Sequence, residues 1–161
     1  MVNEEALWRA LERVCDPEIP HLSVVEMGMI KRVESDGADV RVEVRPTFVG
    51  CPALDIIRRD IDAALSGVEG VASVEIQFVH DPPWSPDQIS ASGQEKLRKF
   101  GIAPPVPGGS HSLLSLDEVP PCPYCGSHDT HMENIFGPTA CRYACYCSSC
   151  QQPFEAMKSM R

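Results

Sequence analysis

Near the start of the chain apolar residues recur every three or four positions: Leu7, Leu11 and Val14 would share one side of a helix. Asn3 supplies an N-cap, Glu4 and Glu5 suit the positive helix end, and Asp16-Pro17 stops the pattern, so a helix is expected over residues 4–14. The period then shortens to two. Val40, Val42 and Val44 alternate with Arg41, Glu43 and Arg45, and Asp36-Gly37 suits a tight turn, so residues 29–46 read as a hairpin with one core face and one wet face. A helical period returns with Leu54, Ile57, Ile61, Ala64 and Leu65, opened by Pro52 at the first helical position and closed by Gly67. Val74, Ile76 and Phe78 then mark a third strand, which "HDPPWSP" breaks.

The order α-β-β-α-β predicts a two-layer α+β domain over residues 1–81, with both helices on one face of a three-stranded sheet. Ser85-Pro86-Asp87-Gln88 and Ser92-Gly93-Gln94-Glu95 each have capping-box spacing, and Gly101 closes the second, which gives a helical extension over 82–102. Residues 103–120, with "APPVPGGSHSLLS", read as a flexible linker. A cysteine-rich module follows over 121–161.

Six of the eight cysteines lie between Cys122 and Cys150. Cys122-x-x-Cys125 and Cys147-x-x-Cys150 each curl into a knuckle that aims two sulfurs at one point, and two knuckles close a tetrahedral site. Four thiolates suit a structural zinc with no open position for substrate. A module this small, with few large apolar side chains, would draw most of its folding free energy from the metal. His128 and His131 are the less economical ligands, because four cysteines already complete the set. Of the two spare cysteines, Cys145 falls on the same strand face as Cys147 and is read as packing. Cys141 follows Gly137-Pro138-Thr139 beside Arg142, where it is either a working thiol or a loop cysteine of no consequence.

In the first domain, Cys51 stands just ahead of Pro52, where the positive end of a helix dipole favours thiolate. It is either a reactive thiolate or metal ligand, or a cysteine tucked under the sheet edge. Cys15, Asp16, Glu18, His21, Glu26 and His80 would approach it if the first helix end and the third strand end meet there.

The formal charge of −9 narrows the function further. Residues 1–81 carry 16 acidic and 8 basic side chains, net −8, and residues 121–161 carry three of each. A zinc held by four thiolates adds a formal −2, so nucleic acid, which needs basic patches, is not the expected partner. The acidic, amphipathic start is unlike a signal sequence, and no apolar run reaches the roughly 18–20 residues that span a bilayer, so a cytoplasmic protein without membrane contact is expected. Neither a phosphate-cradling glycine loop nor a G-x-S-x-G or H-E-x-x-H motif is present, so the chain is not expected to be catalytic alone.

"CDPEIP", "TFVGCPA", "FVHDPPWSP", "KLRKFGIAPP" and "CPYCGS...FGPTACRYACYCSSCQQPF" together resemble the PaaD (also PaaJ) family of phenylacetyl-CoA epoxidase accessory subunits. The resemblance covers nearly the whole chain, and its first half is also similar to SufT-type iron-sulfur assembly domains. It implies an accessory subunit in aerobic phenylacetate degradation that assembles or delivers an iron-sulfur cluster or iron to the oxygenase and reductase components, and it leaves room for a homodimer. By residue, it implies Cys51 as the cysteine of the T-x-x-G-C-P motif, Asp16 and Glu18 as its supporting acids, and Cys141 as the thiol of the glycine-threonine-cysteine loop. Pro138 stands where a serine is common, and Cys145 where an aromatic residue is expected. The competing reading is a zinc-ribbon adaptor that organises the oxygenase components without handling metal.

Overall fold

The structure, a computed structural model, describes residues 1–47, 51–104, 119–139 and 142–157. They divide into two compact units, Met1–Trp84 and Ser85–Arg161.

In the first unit, helix α1 spans Glu4–Leu11, and Asn3 caps it by accepting the Glu5 N–H at 3.0 Å. It ends sooner than expected because Arg13 and Val14 donate to Ala10 and Leu11, three residues back, and tighten the last turn. Val14 is still buried: its carbonyl accepts from Val24 at 2.9 Å. Strands β1 (Ile30–Asp36) and β2 (Asp39–Val44) form the expected hairpin, with Gly37 at φ 64° in the turn. Helix α2 (Ala53–Ser66) then crosses over to strand β3 (Ser73–Phe78), which lies parallel to β2 with Val40, Val42 and Val44 opposite Val74, Ile76 and Phe78. Parallel pairing requires such a crossover, and the sheet order is β1-β2-β3.

The core follows the sequence periodicity: Leu7, Leu11, Val42, Val44, Ile61 and Leu65 are fully buried. Pro52 is the N-cap rather than the first helical residue, and it offers no side-chain cap. On α2, Arg58 and Arg59 find partners other than the acids one helical turn away, Asp62 and Asp55. Arg59 pairs with Asp60 at 3.2 Å, and Arg58 lies 4.8 Å over the Phe78 ring. The chain after β3 is strapped back on the unit by Trp84, buried, whose indole N–H donates to the Met27 carbonyl at 2.7 Å. Trp84→Phe keeps an aromatic ring but strips that carbonyl of its donor. The first unit is expected to lose about 1–3 kcal/mol, read as a lower urea midpoint.

The second unit opens with a capping box in which Ser85 and Gln88 exchange hydrogen bonds around a short 3-10 turn, as the spacing predicts. Helix α3 (Ala91–Lys99) is capped by Ser90, whose hydroxyl accepts the Gly93 N–H at 3.0 Å, and not by Ser92. Gly101, at φ 72°, turns the chain into β4 (Ile102–Ala103). Strands β5 (Thr130–Asn134), β6 (Arg142–Cys147) and β7 (Gln152–Met157) complete a sheet of order β4-β7-β6-β5, parallel between β4 and β7 and otherwise antiparallel.

This differs from the expected division at three points. The break falls after Trp84 rather than at residue 81. The segment read as a separate helical extension belongs to the ribbon's own unit, because β4 hydrogen-bonds to β7. Ala103, read as the start of a linker, is buried among the ribbon cysteines. The rest of the expected linker falls largely on residues 105–118, outside the described residues.

Candidate metal centre and thiol sites

The first knuckle is shaped by its backbone. Gly126, at φ 74°, donates to the Cys122 carbonyl at 2.9 Å, the Cys122 N–H donates to the Ser127 carbonyl at 2.9 Å, and the Tyr124 N–H points at the Cys122 sulfur at 3.4 Å. The second sits where β6 turns into β7, with Gln151 in the left-handed region at φ 59°. Together they bring the sulfurs of Cys122, Cys125, Cys147 and Cys150 within 4.8 Å of one another. Cys122 to Cys150 and Cys125 to Cys147 are each 3.6 Å, too long for disulfides, which need about 2.05 Å. A tetrahedral site with metal–sulfur bonds of about 2.3 Å would separate its sulfurs by roughly 3.8 Å. The donor set therefore fits a four-thiolate metal site.

Within the cluster the thiols of Cys147 and Cys150 are pushed in opposite directions. The backbone N–H of Cys150 is the largest influence on the Cys147 thiol and, helped by Cys125 and the Ser149 N–H, draws it down to about 7. Cys150 is pushed up to about 12, first by burial and then by the neighbouring thiols. Metal binding by cysteines displaces their thiol protons.

Cys145 is buried on the same side of β6 as Cys147, in a core with Ala103, Cys122, Phe154 and Ala156. Burial pushes its thiol up to about 12, so it behaves as a small apolar side chain. Cys141 lies outside the described residues. Its neighbour Arg142 is buried and turned inward: Nη1 pairs with Glu155 at 2.7 Å and Nε donates to Thr139 at 2.9 Å. The sequence hinted at this pair only through Glu155, a lone charge in the strand "PFEAM". Arg142 also holds the preceding turn, since its carbonyl accepts the Gly137 N–H at 3.0 Å. A Cβ on Gly137 would stand 2.5 Å from that carbonyl oxygen. Because main-chain atoms oppose the methyl, Gly137→Ala is expected to destabilise the second unit by about 1–3 kcal/mol, read as a lower denaturation midpoint at unchanged zinc content.

In the first unit, topology gathers the other candidates. Ile30 at the start of β1 lies opposite Val44 at the end of β2, and Val44 opposite Phe78 at the end of β3. Three segments therefore meet the sheet at one end: residues 15–29 entering β1, residues 45–47 leaving β2, and residues 79–84 leaving β3. They are stitched together by Arg45 N–H to Met29 carbonyl (2.7 Å), Val79 N–H to Val44 carbonyl (2.9 Å) and the Trp84 bond. In the entering segment Cys15 pairs with Ser23, Asp16 accepts the Glu18 N–H at 2.8 Å, and Ser23 and Glu26 cap each other at 3.0 Å. Cys51 is half-buried at the start of α2, and His80 follows β3. These groups belong to segments at one sheet end, but among the described residues they do not converge into a set of three or more metal ligands as the ribbon cysteines do. Arg45, on the segment that leads to Cys51, buries its Nε without a hydrogen-bond partner among the described residues.

The chain thus joins an α-β-β-α-β unit, with Cys51 just ahead of the N-cap of its crossover helix, to a ribbon whose two knuckles bring four cysteines together. Residues 4–78 match the family model described as iron-sulfur cluster assembly protein, and residues 107–158 match the PaaD zinc beta ribbon domain. An Escherichia coli protein provisionally named as a component of 1,2-phenylacetyl-CoA epoxidase is 34% identical over 94% of this chain and 90% of its own. The protein belongs to the PaaD family. An Fe-S protein maturation auxiliary factor of Porphyromonas gingivalis is 38% identical over 59% of this chain and 90% of its own. Among solved structures, a domain of unknown function from Bacillus anthracis superposes with a TM-score of 0.55 at 30% identity, over 58% of this chain and 90% of that one. A conserved hypothetical protein from Thermotoga maritima gives 0.52 at 34% identity, over 60% and 94%.

Proposed function

We propose that this protein is an accessory subunit of a phenylacetyl-CoA epoxidase system that assembles an iron-sulfur cluster or iron and delivers it to the oxygenase or reductase components. The observation that carries this reading is the pairing, in one chain, of an assembly-type unit with a closed four-cysteine site. Thiolates suit iron and clusters as they suit zinc. The two sites divide the work. Cys122, Cys125, Cys147 and Cys150 hold zinc, which supplies a structural cross-link and no reaction. Cys51, supported by Asp16 and Glu18 and with Cys141 as a second thiol, receives the cargo transiently. The helix start favours thiolate at Cys51, and the buried donor of Arg45 belongs to the same connection.

The protein works in the cytoplasm, where thiols stay reduced. Among the described residues no helix is long and apolar enough to cross a membrane. The second reading, an adaptor that only organises the oxygenase components, is favoured by the ribbon's exposed apolar tip, Ile135 and Phe136. Zinc and iron content after anaerobic reconstitution with iron and sulfide, for the wild type and Cys51→Ala, separates the two.

A further inference from the structure

The ribbon's metal ligands are also the walls of the core that holds the α3–β4 segment. Ala103, fully buried, packs in one cluster with Cys122, Cys145, Cys147, Phe154 and Ala156, and Cys150 lies against it. Three of the four candidate ligands thus belong to, or pack against, the core that Ala103 enters. Strand β4 itself is two residues long, with Ile102 and Ala103 opposite Glu155 and Ala156, and the Gly101 carbonyl accepting the Glu155 N–H at 3.1 Å. So short a strand does not hold itself in place.

A second contact comes from inside the first knuckle. Tyr124, between Cys122 and Cys125, lays its ring against Gly101: a Cβ there would overlap the Tyr124 hydroxyl. The backbone of Tyr124 is tied to the Cys122 sulfur, so the knuckle sets where the ring goes. Gly101 is also the residue at φ 72° that ends α3 and aims the chain into β4. One side chain of the metal knuckle therefore rests on the hinge of the segment that follows the first unit in sequence.

We propose that metal occupancy of the four-cysteine site controls the order of the α3–β4 segment, through Tyr124 on Gly101 and through the shared cysteine core. With the ion bound, the knuckle fixes Tyr124, Gly101 is clamped and β4 stays paired to β7. With the ion removed, four like-polarity thiols crowd within one small volume, the knuckle relaxes, and the segment detaches. The ribbon's metal then acts as a switch on a segment of its own unit, beyond its role as a staple. This rests on the four-cysteine site being a metal site.

Hydrogen exchange on the full chain, zinc-loaded and then stripped by chelator under reducing conditions, tests it together with metal analysis. Stripping should raise exchange at Leu97 to Ala103 by an order of magnitude or more, while β1 and β2 keep their protection. Tyr124→Ala separates the clamp from general loss of the ribbon. That variant should still hold zinc and protect Arg142 to Cys147, yet exchange faster at Gly101 to Ala103. Wild-type chain that binds no zinc would overturn the metal reading itself. Zinc bound with equal protection in the loaded and stripped chains, or a zinc-loaded Tyr124→Ala as protected at Gly101 to Ala103 as the wild type, overturns the coupling alone.

Discussion

Serine in place of Cys147 will leave the chain unable to hold zinc and will unfold the second unit as a whole. Cys147 is fully buried, contributes to both the sulfur cluster and the apolar core, and ends the strand from which the second knuckle turns. Structural zinc in small modules supplies an apparent folding free energy of about 10–16 kcal/mol, far more than so small a core contributes. A serine hydroxyl is a poor zinc ligand, so three thiolates would remain around an ion that needs four. Zinc per chain should fall from one to near zero, and the second unit should lose its cooperative denaturation. The first unit should keep its own, because Leu7, Leu11, Val42, Ile61 and Leu65 build its core without a cysteine. Cys145→Ser is the control, since it disturbs the same core but leaves all four ligands. Full zinc retention by Cys147→Ser would refute the site.

Cys51→Ala will remove cluster loading and nothing else. The cysteine is half-buried at the start of α2, where its carbonyl accepts the Leu54 N–H at 3.1 Å, a bond that alanine preserves. Stability should change by no more than about 1 kcal/mol. Zinc content should be unchanged, because the ribbon ligands lie in the other unit. After anaerobic reconstitution, iron per chain and the visible absorbance of the cluster should fall to background, while capture of the oxygenase components persists. Iron binding equal to the wild type would sink the delivery reading through Cys51 and leave the adaptor.

Much of the first unit was legible because its elements bury one face each. The period-two run Val40, Val42, Val44 and the helical run Ile57, Ile61, Leu65 are both solvent-driven patterns that survive in the packed sheet and helix. The cap of α3 was misplaced by two residues: Ser92 has the capping-box spacing but falls inside the helix, and Ser90 caps it, a choice that depends on which N–H groups the folded helix leaves open. The tie of the 82–102 extension and of Ala103 to the ribbon was hidden for a different reason. A two-residue strand paired to β7, far along the chain, has no local signature, and the small apolar Ala103 reads as linker until the cysteine core that covers it is built. The convergence of Cys122, Cys125, Cys147 and Cys150 was legible from spacing alone, because a knuckle is a local structure. Arg142 with Glu155 was not, since that pair exists only across β6 and β7.

The parallel pairing of β2 with β3 separates scaffold from chemistry. Register between these strands is fixed by their valine, isoleucine and phenylalanine faces, while the candidate thiol sits outside both, on the connection between β2 and α2. Loop length is thermodynamically cheap to vary, so this connection is the place where evolution or a designer can retune the cargo, lengthening or re-sequencing it while the sheet end that presents it stays where it is.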